Sequence, residues 1–336
     1  MQKKYDIAVV GATGAVGRKM LEVLKERNLP INNLYLYASQ KSAGASIKFC
    51  DKDYTVIELK KENIIDKHID IAIFSAGASV SKEFAPIFAQ NHTIVVDNSS
   101  CWRTNAEIPL IVPEVNADEI KRHKNIIANP NCSTIQCVVA LKPLHELYKI
   151  KRIVYSTYQA VSGAGMAGCH DLENGIKGLP PAKFPQPIFS NCLPHIDVFL
   201  DNGYTKEEEK MIFETRKILG DQTIKITATT VRVPVMNCHS IAANVEFEND
   251  FELPKLKKAL SEFDSIVVMD DPAKALYPTV INANGKDEVY VGRIRRDESV
   301  KSGINIWIVS DNIRKGAATN TVQIAQYIIA NNIKPV

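Results

Sequence analysis

Short apolar runs alternate with helical spacing through the first part of the chain. Ile7-Ala8-Val9-Val10, Leu34-Tyr35-Leu36-Tyr37-Ala38, Ile69 to Phe74, Thr93 to Val96 and Asn125 to Ala128 read as strands. Helical periodicity over 15–27 and near 79–90 falls between them. Strands that are apolar almost without interruption have both faces covered, which predicts an α/β unit with a parallel sheet between helices. From about residue 150 the pattern changes to alternation with Pro and Gly punctuation, over 152–160, 224–233, 239–248, 288–295 and 303–310. These read as antiparallel strands, interrupted by helices near 166–178, 205–219 and 253–263. They predict a mixed α+β unit with one sheet face free for a partner subunit. Gly316 to about Asn331 returns to helical spacing, with Ala317, Ala318, Val322, Ile324, Ala325, Ile328 and Ile329 on the repeat.

Composition narrows the classes. The 336 residues are 45% hydrophobic, enough for a large core and two domains. Charged residues make up 24% with a net charge of +3 and no block of one sign, so neither a nucleic-acid stripe nor a membrane-surface helix is expected. A small anionic ligand remains compatible, because Lys and Arg can gather in one cleft. No apolar run approaches the roughly 20 residues of a membrane span. The N-terminus enters a strand pattern at once, which predicts no signal-peptide core. Seven scattered cysteines without a Cys-x-x-Cys pair favour free thiols in a reducing cytoplasm. Cys169-His170, Cys192 with His195, and Cys238-His239 are isolated pairs rather than two close-spaced clusters, so no metal site is expected.

Gly11, Gly14 and Gly17 lie in Val10-Gly11-Ala12-Thr13-Gly14-Ala15-Val16-Gly17, between a strand and a helix. A dinucleotide loop needs a tight turn, a close backbone approach to pyrophosphate and a helix N-terminus aimed at the anion. The spacing is a variant of the usual fingerprint, and a sharp βα turn is the plain alternative. After the second strand comes Ser39-Gln40-Lys41-Ser42-Ala43-Gly44, which lacks the carboxylate that usually accepts from the ribose 2′-hydroxyl of NAD. A cation and hydroxyls suit the 2′-phosphate of NADP; a solvated lysine in a polar loop is the competing reading.

Asn129-Pro130-Asn131-Cys132-Ser133-Thr134 follows the fifth strand and opens an apolar helical run. If Asn131 caps that helix, Cys132 falls in its first turn, where the dipole lowers a thiol pKa and free N–H groups hold an oxyanion. Both serve covalent acyl chemistry. A buried structural cysteine is the ordinary alternative, and the one expected of Cys137. Among the histidines, His239 stands apart, at a junction between two apolar strands in Arg232-Val233-Pro234-Val235-Met236-Asn237-Cys238-His239. In one regular strand Arg232 and His239 would point to opposite faces, but Pro234 argues for a bend that lets both reach one cleft. A satisfied core histidine competes with the role of base.

Gly-Ala-Thr-Gly-Ala-Val-Gly, Asn-Cys-Ser-Thr and Arg-Val-Pro-Val…His occur in an order that resembles the bacterial aspartate-semialdehyde dehydrogenases. Val96-Asp97-Asn98-Ser99-Ser100, Glu207 to Met211 and Arg314 to Ala318 extend the match. The resemblance implies a Rossmann-type NADP-binding domain over 1–130 completed by 316–336, and a catalytic and dimerisation domain over 131–315. It implies reversible, NADP-dependent interconversion of aspartyl 4-phosphate and aspartate 4-semialdehyde with release of phosphate, in a cytoplasmic homodimer. Cys132 would form the thioester, His239 would be the acid/base residue and Gln159 would orient the substrate. Arg232 would pair with the substrate α-carboxylate. Arg103 and Lys210 would bind phosphate, helped by Asn131 and Glu207. Gly11, Thr13, Gly14, Ala15, Val16, Lys41, Ser42, Ser162, Gly163 and Asn320 correspond to cofactor contacts. Two positions depart from the pattern: Lys41 stands where arginine is frequent, and Trp102 where phenylalanine is. N-acetylglutamyl-phosphate reductase differs at the nucleophile, with Gly-Cys-Tyr against Asn131-Cys132-Ser133, and the signature of glyceraldehyde-phosphate dehydrogenase is absent. A non-catalytic nucleotide-binding homologue is the reading from another class.

Overall fold

The computed structural model describes residues 3–336. They form two compact units, one running to Pro130 and including Ala317–Val336, the other spanning Asn131–Gly316. No helix among the described residues is long and apolar enough to cross a membrane.

The first unit contains β1 (Tyr5–Val10), β2 (Ile31–Ala38), a hairpin of β3 (Ser46–Phe49) and β4 (Lys52–Thr55), β5 (Ile57–Glu58), β6 (Ile71–Phe74), β7 (Ile94–Asp97) and β8 (Ile126–Ala128). Six of these make a sheet in the order β5-β2-β1-β6-β7-β8, parallel throughout. Ile7, Val9, Ile71, Ile73, Ile94 and Val96 pack with Met20 and Leu24 of helix Ala15–Glu26 and with Val322, Ile324 and Ile328 of helix Asn320–Ala330. Helix Ala78–Gln90 sends Phe88 edge-on to Phe74 and Tyr37. Chain order reverses at β1, whose neighbours are β2 on one side and β6 on the other. The crevice beyond the carboxyl end of such a strand is where nucleotides bind in open α/β sheets. The Gly11 loop lies there. The β3–β4 hairpin was not predicted, because its strands are short and mostly exposed.

The second unit contains β9 (Ile150–Gln159), β10 (Lys225–Arg232), β11 (His239–Phe247), β12 (Ile266–Val268), β13 (Val289–Arg296) and β14 (Gly303–Ser310), in the order β10-β9-β11-β14-β13-β12. The central pairs are antiparallel, but β10 runs parallel to β9 and β12 parallel to β13. This corrects the reading of every strand here as antiparallel. Alternation reports that one face is wet, not which way a neighbour runs. Helix Lys206–Leu219 makes the crossover between β9 and β10. The opposite face carries a hollow of about 620 Å³ lined by Val154, Ser156, Ala242, Asn244, Asn305 and Trp307. The last helix begins at Asn320 rather than Gly316, after a wider π turn over Arg314–Thr319.

Candidate active site

Topology brings the chemistry of the second unit to one end of its sheet. Gln159 and Arg232 are the last residues of two parallel strands and face each other in register. β11 is antiparallel to β9, so its first residue, His239, enters at that same end. Arg232 and His239 thus belong to separate strands, and the irregular stretch between them removes the parity conflict. Cys238 sits at φ +71° in that stretch, and its N–H donates to Asn312 Oδ1 at 2.9 Å. Such a turn at a non-glycine residue is costly and recurs where a side chain must be aimed.

Helix Cys132–Tyr148 brings the thiol. Asn131 is its N-cap, with the side-chain oxygen accepting from Ser133 N at 2.9 Å and Thr134 N at 3.4 Å. Ser133 to Leu141 are all buried, Cys137 among them, so the helix is fixed as a core element. Gln136 ties it to the sheet by donating to the carbonyls of His239 and Ile308. Cys132 Sγ, half-buried at the first turn, lies 3.2 Å from His239 Nε2. A thiol at a helix N-terminus beside an imidazole is an activated nucleophile.

Glu207 gathers three of the other residues that the sequence singles out. Its Oε1 accepts from Asn131 Nδ2 at 2.9 Å and Gln159 Nε2 at 3.2 Å, and its Oε2 accepts from Lys210 Nζ at 3.2 Å. Burial alone would raise its carboxyl pKa, but Lys210, Asn131 and Gln159 hold it below the usual range. Lys210 also pairs with Asp197 at 2.7 Å. Arg232 is buried, donates from Nη1 to the Ala160 carbonyl at 2.6 Å, and has no acceptor for Nε among the described residues. A buried guanidinium edge without an acceptor is costly, and a substrate carboxylate would satisfy it. The Gly163 Cα lies against this pair, since a Cβ there would meet Arg232 Nη1 at 3.0 Å and His239 Cε1 at 3.3 Å. Ser162 Oγ bonds to the Asn312 amide.

His239 is fully buried, and burial first, then the Arg232 charge, lower its pKa to about 3. An unfolded histidine titrates near 6.5, so between that value and about 3 only the unfolded chain takes up the proton. Stability therefore falls as pH drops through this window, by up to about 1.4 kcal/mol per pH unit from this group. His239→Asn should flatten that slope in denaturant melts between about pH 6 and 4. An unchanged slope would contradict the assignment.

In the first unit, Arg103 is buried and donates from Nη2 to the Asn98 carbonyl at 3.0 Å. Burial raises the pKa of neighbouring Asp97, opposed by bonds from Ser99 and by the Arg103 charge. Gly11 has φ +84°, and any Cβ would strike the Ser75 carbonyl oxygen; one on Gly17 would strike the Gly11 carbonyl. Gly14 and Ala15 are exposed, Thr13 and Val16 half-buried, and helix Ala15–Glu26 has no side-chain cap. This uncapped N-terminus with its tight glycine turn fits a pyrophosphate. Lys41 is exposed and Ser42 half-exposed in a turn after β2. Asn320 is fully buried, donating to the Ile111 carbonyl at 2.9 Å and Asn129 Oδ1 at 2.7 Å.

Two supports escaped the sequence reading. Glu214, also buried, accepts from the Asn131 backbone N–H at 2.6 Å, so two carboxylates on one helix hold the N-cap residue. The Glu207, Lys210, Glu214 spacing on one helical face was the available signal. The other support is Gly316, where a Cβ would stand 2.7 Å from Cys132 Cβ. Gly316→Ala should push the thiol off its line to His239 and cut kcat at least about tenfold with the fold retained. Near-parental turnover would show that the contact yields freely.

A nucleotide-type parallel sheet in one unit and a helix-borne thiol set against an imidazole in the other define a dinucleotide-dependent, thiol-based oxidoreductase. The family models "Semialdehyde dehydrogenase, NAD binding domain" and "Semialdehyde dehydrogenase, dimerisation domain" match residues 6–123 and 141–315. An aspartate-semialdehyde dehydrogenase of Aquifex aeolicus is 52% identical, covering 98% of this chain and 99% of its own. The structure of aspartate semialdehyde dehydrogenase II from Vibrio cholerae, complexed with ASA, superposes with a TM-score of 0.93 at 45% identity, over 98% of this chain and 99% of that one. That of the Candida albicans enzyme with NADP does so at 0.78 and 25% identity, over 98% and 100%. The chain belongs to the aspartate-semialdehyde dehydrogenase family.

Proposed function

We propose that the protein reversibly converts L-aspartyl 4-phosphate and NADPH to L-aspartate 4-semialdehyde, NADP and phosphate through a thioester on Cys132. The contact between Cys132 Sγ and His239 Nε2 at 3.2 Å carries this reading. The thiolate attacks the acyl phosphate carbonyl, and phosphate leaves. Arg103 and Lys210 serve as the phosphate cations, Arg232 receives the α-carboxylate, and Gln159, Asn131 and Glu207 fix the substrate's position. His239 presents Nε2 to the sulfur and to the oxygen of the intermediate. A bound nicotinamide supplies the hydride. The Gly11 to Val16 loop would hold its pyrophosphate and Lys41 with Ser42 the 2′-phosphate, while Ser162, Gly163 and Asn320 serve the cofactor's placement. The NADP named with the Candida relative and the missing carboxylate after β2 support this choice of nucleotide. Residues 1–130 with 316–336 act as the cofactor domain and 131–315 as the catalytic and dimerisation domain. The hollow on the open face of the second sheet supports a homodimer, and the free cysteines support a cytoplasmic setting.

The test follows NADP reduction at 340 nm with aspartate semialdehyde. The expected result is turnover that requires phosphate and is faster with NADP than with NAD. Equal rates without phosphate, or activity only on N-acetylglutamate semialdehyde, would overturn it.

A further inference from the structure

Helix Met166–Ile176 buries a carboxylate, Asp171, that takes no part in the acyl chemistry. Its partners come from the irregular segment 180–187. Pro180, Pro181, Pro185 and Pro187 have no N–H, which leaves those of Ala182, Lys183, Phe184 and Gln186. Three of these four donate to Asp171, Ala182 to Oδ1 and both Lys183 and Phe184 to Oδ2, each at 2.8 Å. Successive peptide donors hold the carboxylate as a backbone nest holds an anion. Burial alone would raise the Asp171 pKa, but these bonds and the His170 charge keep it below the usual carboxylate range. Ala182 and Lys183 are exposed, so the carboxylate rather than a core fixes this stretch.

The third donor brings a ring to Arg232. Phe184 is half-buried on the cluster of Val161, Cys169, Leu172, Ile188 and Leu193. Arg232 Cζ lies over its ring, 5.9 Å from the centroid. Gly168 makes room for that ring, since a Cβ there would stand 3.1 Å from Phe184 Cζ and 2.5 Å from the Val161 carbonyl oxygen. We propose that Asp171 is a positioning residue of the active site. It holds segment 180–187 so that Phe184 forms a wall of the α-carboxylate subsite beside Arg232, and the two set the affinity for substrates that carry this group.

This deepens the proposed function and rests on it for the part of the substrate that Arg232 receives. A carboxylate pairs with a guanidinium along its edges and leaves its face free for a ring. A ring on that face adds a cation–π attraction and keeps water off the ion pair, which strengthens it. Phe184 has no polar atom, so it contributes nothing to the covalent step. The α-carboxylate is bound alike in ground and transition states, so loss of the wall moves KM rather than kcat. Asp171 acts only through the ring, and the two residues behave as one unit.

The test compares the parent with Asp171→Asn, Phe184→Leu and the double variant, by initial rates with aspartate semialdehyde and with an aldehyde of the same length lacking the α-carboxylate. Each single variant should raise KM for aspartate semialdehyde by about 5- to 30-fold, with kcat within about threefold of the parent. The double variant should be no worse than the poorer single one, because both act through one ring. For the truncated aldehyde, KM should stay at the parental value. Phe184→Tyr keeps the ring and should recover most of the loss. Asp171→Glu keeps the acceptor oxygens and should fall between parent and asparagine, which decides the role of Asp171 if the asparagine variant does not fold. Equal KM shifts for the two aldehydes, additive effects, or a fall confined to kcat would overturn the proposal. Without substrate, Arg232 Nε–H exchange followed by proton–nitrogen NMR should quicken at least about tenfold in Phe184→Leu. An unchanged rate would show that the ring does not cover the guanidinium. A parent that does not turn over aspartate semialdehyde sinks the proposed substrate, while the exchange rates still judge the wall.

Discussion

Cys132→Ser should retain less than about one part in 10⁴ of the parental kcat, with the thermal midpoint close to the parent's. A cysteine thiol is a few per cent ionised at neutral pH even when unperturbed, whereas a serine hydroxyl needs a base to attack at all. Burial and the Arg232 charge lower the His239 pKa to about 3, which makes its neutral imidazole a weak base toward so poor an acid as a hydroxyl. The hydroxyl would occupy the same first turn, beside the same imidazole, and remain protonated. Oxygen is smaller than sulfur, so the close approach of Gly316 gives no steric reason for misfolding. Intact-mass analysis with acyl phosphate and no reduced nucleotide should find one acyl adduct on the parent and none on the variant. A serine variant within about tenfold of the parent would remove Cys132 from the covalent step.

The order of strands and helices was legible because core patterning is local. Near-continuous apolar runs at Ile7–Val10 and Ile69–Phe74 can only be doubly covered strands. Asn131 before an apolar run marked the helix start that holds Cys132. The parallel direction of β10 was not legible, because the same alternation serves either direction. That Arg232 and His239 reach one cleft was legible from the bend expected at Pro234, but how they meet was not, since it depends on two strands of opposite direction sharing one end of a sheet. The roles of Glu214 and Asp171 were hidden for different reasons. Glu214 looks like one more carboxylate on a charged helix until it is seen buried against the Asn131 N–H. A backbone donor leaves no trace in the residue type at all, so the partners of Asp171 could not be found by reading side chains.

Arg232→Leu should lower kcat/KM for aspartate semialdehyde by about 10³, most of it in KM, because a buried charge-assisted pair is worth about 2–5 kcal/mol when one partner is truncated. The guanidinium is nearly inaccessible, spends Nη1 on the Ala160 carbonyl, and keeps Nε without an acceptor among the described residues. A carboxylate is the ligand that uses two edges of such a group at once. Lysine in its place should recover only part of the loss, since a point charge cannot reproduce the fork and would release the clamp on Ala160. The leucine variant also removes the cation beside His239, so its kcat effect alone would not separate substrate binding from a disturbed imidazole. A substrate cut supplies the separation. Against an aldehyde of the same length lacking the α-carboxylate, parent and variant should become nearly equal, because the group that Arg232 recognises is gone from both comparisons. A variant that still discriminates between the two aldehydes as strongly as the parent does would show that the α-carboxylate finds its partner elsewhere.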